Sequence, residues 1–172
     1  MYTIGHSTRT IEELVALLRV HAIQLLVDVR TIPKSRKNPQ FGIDLLPAAL
    51  HTCAIDYRHL PALGGLRRAA KDSRNTGWHN ASFRGYADYL ATPEFHAGLA
   101  ELEDLANHQL VAIMCAEAVP WRCHRSLIAD ALTVAGWHVY HIISKQTPKE
   151  HTLTAFLQCE DGQLIYPNSD EP

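Results

Sequence analysis

The sequence predicts an α/β fold: a single-domain three-layer sandwich over residues 1–172, with a mainly parallel sheet of about five strands and a candidate edge strand near its end. Three observations carry that reading. Short apolar runs alternate with stretches of helical period, the order expected of a parallel sheet with crossover helices. Two of the runs, 25–30 and 110–115, are largely unbroken hydrophobic stretches, as suits strands covered on both faces. Finally, 172 residues with 47% apolar and 20% charged side chains suit one globular core that needs no disulfides.

Each element has its own signal. Residues 2–6 favour a strand that ends at Ser7. Thr10 and Glu13 match a capping box, in which hydroxyl and carboxylate satisfy each other's backbone donors, so a helix opens there. Ile11, Leu14, Val15, Leu17 and Leu18 form its apolar face. The second strand, 25–30, ends in the polar pair Asp28 and Arg30. Pro33 and Pro39 make the basic stretch 31–39 a loop. Leu45, Leu46, Ala49, Leu50 and Cys53 predict a second helix, and 55–60 a third strand carrying His59.

From Pro61 to about residue 81 no period holds, which reads as a functional loop or a disordered excursion, with Trp78 favouring order. Ser82 is the expected cap of a short helix carrying Phe83, Tyr86 and Leu90. Thr92-Pro93-Glu94 signals the start of a longer helix presenting Phe95, Leu99, Leu102 and Ala106. Residues 110–115 form the fourth strand, 120–135 a helix closed by Gly136, and 137–143 the fifth strand. Residues 163–166 add an edge strand or cover a face.

Charge and composition narrow the function. A net charge of −2 marks neither a broadly nucleic-acid-like nor a strongly acidic protein. Two local basic segments stand out, Arg30, Lys34, Arg36 and Lys37, and Arg58, Arg67, Arg68, Lys71 and Arg74. If they adjoin they favour an anionic small molecule or nucleic acid; if not, they are two solvated loops. The chain opens on Met1-Tyr2-Thr3-Ile4 without a secretory pattern, so a cytoplasmic location and reduced cysteines are expected. No apolar run approaches the roughly 18 residues of a membrane span. The sequence names neither a cofactor nor an oligomeric state.

The chemistry is densest at 115–125, where Cys115, Glu117, Arg122, Cys123, His124 and Arg125 crowd between a strand and a helix. In open α/β sheets the ligand crevice lies beyond the carboxyl ends of the strands. Those ends here carry His6 and Ser7, Asp28 and Arg30, His59, and Cys115 with Glu117. With Pro120 in the first helical turn, backbone donors near 121–123 are expected to face the crevice, favour an anion and lower a nearby thiol's pKa. Projection at about 100° per residue puts His124 on the packing face, with Cys123 and Arg125 on its flanks.

These residues admit three readings. Cys115 or Cys123 is a nucleophile with His124 or His6 as base, and Arg30, Arg122 or Arg125 holds an anion. Alternatively Cys115, Cys123, His124 and His6 or His59 bind zinc or iron, although the spacing matches none of the usual zinc patterns. The third is a non-catalytic nucleic-acid-binding module using basic loops and aromatics such as Trp78. Packing alone would also accommodate His124 and Cys115.

Several stretches together resemble the domain of unknown function 488 family. They are Thr3-Ile4-Gly5-His6-Ser7; Asp28-Val29-Arg30 with Pro33, Ser35-Arg36 and Pro39; and Tyr57, His59, Leu60-Pro61 and Leu63-Gly64-Gly65. Phe83, Tyr86-Ala87 and Tyr166-Pro167 also fit, and Cys115-Ala116-Glu117, Pro120 and Cys123-His124-Arg125 resemble its most specific signature. The resemblance implies a small cytosolic α/β domain whose polar motifs converge, and it supplies no reaction.

The resulting expectation is an enzyme acting on a phosphate-bearing substrate, a nucleotide or nucleic acid. Cys115 is the expected nucleophile or redox thiol and Glu117 or His124 the proton carrier, with Cys123 in the same catalytic group. Arg30, Arg36 and Arg125 hold the anion, in a crevice also lined by His6, Ser7, Asp28 and His59.

Overall fold

A computed structural model describes residues 1–168. In chain order it has β1 (Tyr2–Gly5), α1 (Ile11–Val20), β2 (Leu25–Asp28), α2 (Leu46–His51), β3 (Asp56–His59), α3 (Ala81–Tyr89), α4 (Pro93–His108), β4 (Val111–Cys115), α5 (Arg125–Val134), β5 (Tyr140–Ile142), β6 (Lys149–Glu150), β7 (Gln158–Glu160) and β8 (Gln163–Ile165). The main sheet runs β3-β2-β4-β1-β5-β6, with β7 and β8 as a separate hairpin. All pairings in the main sheet are parallel except β5 with β6. This is the predicted α/β architecture, and no helix among the described residues is long and apolar enough to cross a membrane.

The twofold period of the strands sorts the core into two layers. Leu25, Val27, Val29, Val111, Ile113 and Cys115 face the side covered by α3, α4 and α5. Ile4, Leu26, Ala112, Met114 and Ile142 face the side covered by α1 and α2. Alternation therefore turns Thr3 and Gly5 toward α5, and sets Cys115 at the strand end on that same side.

One alternative is decided and two local expectations are corrected. Residues 163–166 cover a face rather than add to the sheet: 163–165 pairs with β7 and Tyr166 is buried in the α3–α5 core, while the edges of the main sheet are β3 and the exposed two-residue β6. A short charged strand suits an edge because it offers little surface for further pairing. Asn80, not Ser82, caps α3 by accepting from the Ser82 N–H at 2.8 Å. The helix predicted over 120–135 is split: Pro120–Arg122 is one 3₁₀ turn, Cys123 is extended at φ −142° and ψ 147°, and α5 begins only at Arg125. A proline in a first turn fits a 3₁₀ turn as well as an α-helix, so the sequence signal was blind to the break.

The aperiodic stretch after Leu63 is pinned rather than loose. Asp88 on α3 accepts from Ala70 N–H, Ser73 Oγ and Asn75 Nδ2 at 2.8, 2.5 and 2.7 Å, and Asn75 Oδ1 accepts from Tyr166 N–H at 2.9 Å. Trp78 stacks on Phe83, with Phe156 edge-on, so its ring serves packing rather than an exposed platform.

Candidate functional site

The carboxyl ends of β1, β2, β3 and β4 meet along one edge of the sheet, and the site has a half on each face. On the α1–α2 side, Asp28 is fully buried and bound by Arg30, whose Nε donates to Oδ1 at 2.8 Å and Nη2 to Oδ2 at 2.5 Å. Tyr57 also donates to Asp28, and Arg30 Nη2 donates to the Phe41 carbonyl. Burial alone would lower the Arg30 pKa, but its bonds to Asp28 and the Asp28 charge outweigh it. Burial, then the Asp28 charge, pushes the Tyr57 hydroxyl well above its usual range. His59 donates from Nε2 to the Arg30 carbonyl at 2.8 Å and so fixes the backbone beneath the pair.

His6 stacks on Phe41 with centroids 4.3 Å apart. Its Nδ1 must donate to the Ser7 carbonyl, which leaves Nε2 to accept from Arg30 Nη1 at 3.3 Å. Burial lowers its pKa to about 4, against the pull of the Ser7 bond, so the ring is neutral at neutral pH.

On the α3–α5 side the two sulfurs meet. Cys115 Sγ lies 2.7 Å from Cys123 Sγ, and Cys123 Sγ accepts from the Arg125 backbone N–H at the start of α5, at 3.5 Å. The extended backbone at Cys123 makes this return contact possible. His124 Nε2 donates to the Val29 carbonyl at 3.1 Å, so in the neutral ring Nδ1 carries no proton and faces Cys123 Sγ at 3.5 Å. Burial lowers the His124 pKa, consistent with that neutral ring. His124 ends as the residue before α5 rather than within its packing face, with its ring 5.0 Å from Tyr86.

The thiols are electrostatically unequal. Burial opposes ionisation of Cys123, yet the Cys115 thiol, the Arg125 charge and the Arg125 hydrogen bonds together bring its pKa down to about 6. Cys115 is pushed well up, first by its bond to Cys123 and then by burial. Ionisation is thus favoured at Cys123 and opposed at Cys115.

Arg125 is almost wholly buried and meets no carboxylate among the salt bridges of the described residues. Its Nη2 donates to the Glu117 carbonyl, its Nη1 to Thr3 Oγ1 at 3.4 Å, and its Nε has no partner among them. Gly5 makes room for this: a Cβ there would lie 1.8 Å from the Glu117 carbonyl oxygen and 2.9 Å from Arg125 Nη2.

The Cys115, Cys123 and His124 donor atoms lie within 4.8 Å of one another, and His6 is not in that group.

Two adjoining cavities open over these groups. One of about 310 Å³ is lined by His6, Arg30, Lys34, Ser35, Cys115 and His124, among others. The other, about 150 Å³, is lined by Ser82, Glu117, Arg122, Cys123, Cys115 and His124, among others. Gly65 lines both, and a Cβ on it would lie 2.4 Å from His124 Nδ1.

Sequence reading and structure thus agree on a convergence but divide the residues. His6, Arg30, Cys115, Glu117, Cys123 and His124 line the crevice, while Ser7, Asp28, His59 and Arg125 are not among the residues lining either cavity. Arg36 is exposed and lines neither cavity; its neighbours Lys34 and Ser35 do, a distinction that the basic run could not make. Of the backbone donors expected to bind an anion, Arg122 N–H is taken by Val119 and Cys123 N–H by Pro120.

The sequence model of DUF488, domain of unknown function, matches residues 10–132. No curated protein and no solved structure shows a significant match.

Proposed function

We propose that this chain, which belongs to the DUF488 family, is a cysteine-dependent hydrolase or transferase acting on a phosphate-bearing substrate, a nucleotide or nucleic acid. The observation that carries the reading is the Cys123 sulfur, held at the start of α5 by the Arg125 N–H and the Cys115 thiol, with its pKa lowered to about 6. Such a thiol is a nucleophile at neutral pH. In this reading Cys123 is the nucleophile, a role the sequence led one to expect of Cys115, and Cys115 is its protonated partner.

Lys34 and Ser35 on one wall and Arg122 on the other supply cation and hydroxyl for a phosphoryl group above the sulfur. In the step, the Cys123 thiolate forms an S–P bond while the P–O bond to the leaving group breaks. The leaving oxygen takes a proton from solvent water at the exposed mouth of the smaller cavity. Water, or a second hydroxyl acceptor, then breaks the S–P bond, returns Cys123 as thiolate and gives its proton to the Glu117 carboxylate, which passes it to solvent. Arg30 and His6 hold the wall in this scheme, since the Arg30 charge is already matched by Asp28.

The test is turnover of para-nitrophenyl phosphate and of a single-stranded oligonucleotide, with intact-mass detection of a phosphoryl adduct. Cys123→Ser should abolish both turnover and adduct, and Cys115→Ser should slow turnover by tenfold or more, about 1.4 kcal/mol in the barrier. Turnover that survives in Cys123→Ser would contradict the reading.

A further inference from the structure

Cys115 and Cys123 are free cysteines with their sulfurs 2.7 Å apart, which makes them a redox couple in geometry as well as a nucleophile and its neighbour. A disulfide bond is about 2.05 Å long, so joining these sulfurs asks for a movement of less than an ångström. The backbone puts that movement in reach. Cys115 is the last residue of β4, in register with Gly5 of β1, and Cys123 is the extended residue between the 3₁₀ turn and α5. One sulfur is carried by a fixed strand end, the other by a break between two helical segments. The remaining cysteines, Cys53 beside Thr52 and the exposed Cys159 on β7, have no sulfur partner among the described residues.

The pair is also within reach of a small reagent. Cys115 lines both cavities of the site, and Cys123 lines the smaller one. Arg30 and Lys34 line the larger cavity, and no aspartate or glutamate among the described residues does. Arg30 is matched by Asp28, so Lys34 is the cation that this wall presents to a ligand. The field of such a wall favours a reagent that carries carboxylates. Where thiols are kept reduced, the disulfides that do form are usually catalytic or redox-sensing rather than structural.

We propose that Cys115 and Cys123 are a dithiol centre that reduces a small carboxylate-bearing disulfide, by exchange through the larger cavity. This activity goes beyond the proposed phosphoryl transfer and rests on the sulfur pair alone. In the first step one of the two sulfurs, as thiolate, attacks a sulfur of the small disulfide. A mixed disulfide forms, the bond within the reagent breaks, and one small thiolate leaves and takes a proton from solvent. The second cysteine gives its proton to solvent and attacks the protein sulfur of the mixed disulfide. That step joins Cys115 to Cys123 and releases the second small thiol. The reagent gains two electrons, the cysteine pair gives them up, and an external dithiol reverses the exchange.

Oxidised glutathione is the probe, given in excess to the reduced full-length chain carrying Cys53→Ser and Cys159→Ser, so that only the pair can react. Products are read by intact mass after an acid quench. The expected product is a chain lighter by two hydrogens, without a lasting glutathionyl adduct, which dithiothreitol returns to the dithiol. Cys115→Ser and Cys123→Ser, each added to that chain, cannot close the bond, and the one that keeps the attacking sulfur should hold a glutathionyl group instead. Lys34→Ala should slow the reaction with oxidised glutathione by about tenfold and leave that with cystamine, a disulfide of two amines, no slower. A pair that stays dithiol in the excess, or that stops at a stable glutathionyl adduct, would overturn the proposal. Equal slowing of both reagents by Lys34→Ala would overturn the preference for carboxylates. No phosphate ester enters this assay, so a failure of phosphoryl transfer would count against the proposed function alone.

Discussion

Arg30 and Arg125 lie at the same sheet edge, both buried, and their surroundings are opposite. Arg30 donates through Nε and Nη2 to Asp28 and again to Phe41, so its charge is neutralised within the wall. Arg125 reaches a carbonyl and a hydroxyl and leaves its Nε without a partner among the described residues. A buried cation without a carboxylate favours ionisation of a neighbouring acid, and the Arg125 charge lowers the Cys123 pKa. One arginine is neutralised within the wall, and the other leaves its charge unmatched.

The largest expected effect on stability separates them. Arg30→Met strands a buried Asp28 and should cost about 3–5 kcal/mol, measured by urea denaturation. Arg125→Met removes an incompletely matched charge, so its cost should be smaller, while the Cys123 midpoint in ultraviolet thiolate absorbance against pH rises. Equal losses in the two variants would erase the contrast.

A smaller effect is expected from Gly5→Ala. Its Cβ would meet the Glu117 carbonyl oxygen, the Arg125 acceptor, at 1.8 Å, so the 115–117 backbone must move. The cost should be about 1–3 kcal/mol in urea denaturation, as for overpacking elsewhere. The Arg125 half of the site should feel it first, seen as a raised Cys123 midpoint.

Stability should also fall in acid, in two windows. His6 and His141 have folded pKa values near 4 against an ordinary 6.5, so the unfolded chain takes up protons that the native one refuses, and stability drops as pH falls from 6.5 toward 4. Cys123 acts higher: its lowered pKa adds stability that is complete above 9 and is lost as pH falls through about 6. Urea midpoints across pH 4–9 in wild type and Cys123→Ser check both, since only the upper window should vanish in the variant. The smallest effect belongs to the surface: Arg58→Ala breaks an exposed pair with Glu101 and should cost under about 1 kcal/mol.

The sheet was legible because buried parallel strands must be continuously apolar, as 25–30 and 110–115 are, and because capping residues such as Thr10 and Thr92 announce helix starts locally. β6 was not, since two exposed polar residues carry no periodic signal. The site was legible as a cluster of reactive side chains at strand ends. Its division of labour was not, because that depends on a break at Cys123 which Pro120 conceals. The Thr3–His141 contact was missed for the same kind of reason: the two residues lie 138 positions apart, and only the fold brings them together.

The sharpest test is the ultraviolet thiolate titration of the reduced wild-type protein beside Cys115→Ser and Cys123→Ser. A component with its midpoint near pH 6, absent from Cys123→Ser and retained in Cys115→Ser at a higher midpoint, is the expected result. Only ordinary thiols titrating near 9, or a low component that vanishes with Cys115 and persists without Cys123, would contradict it.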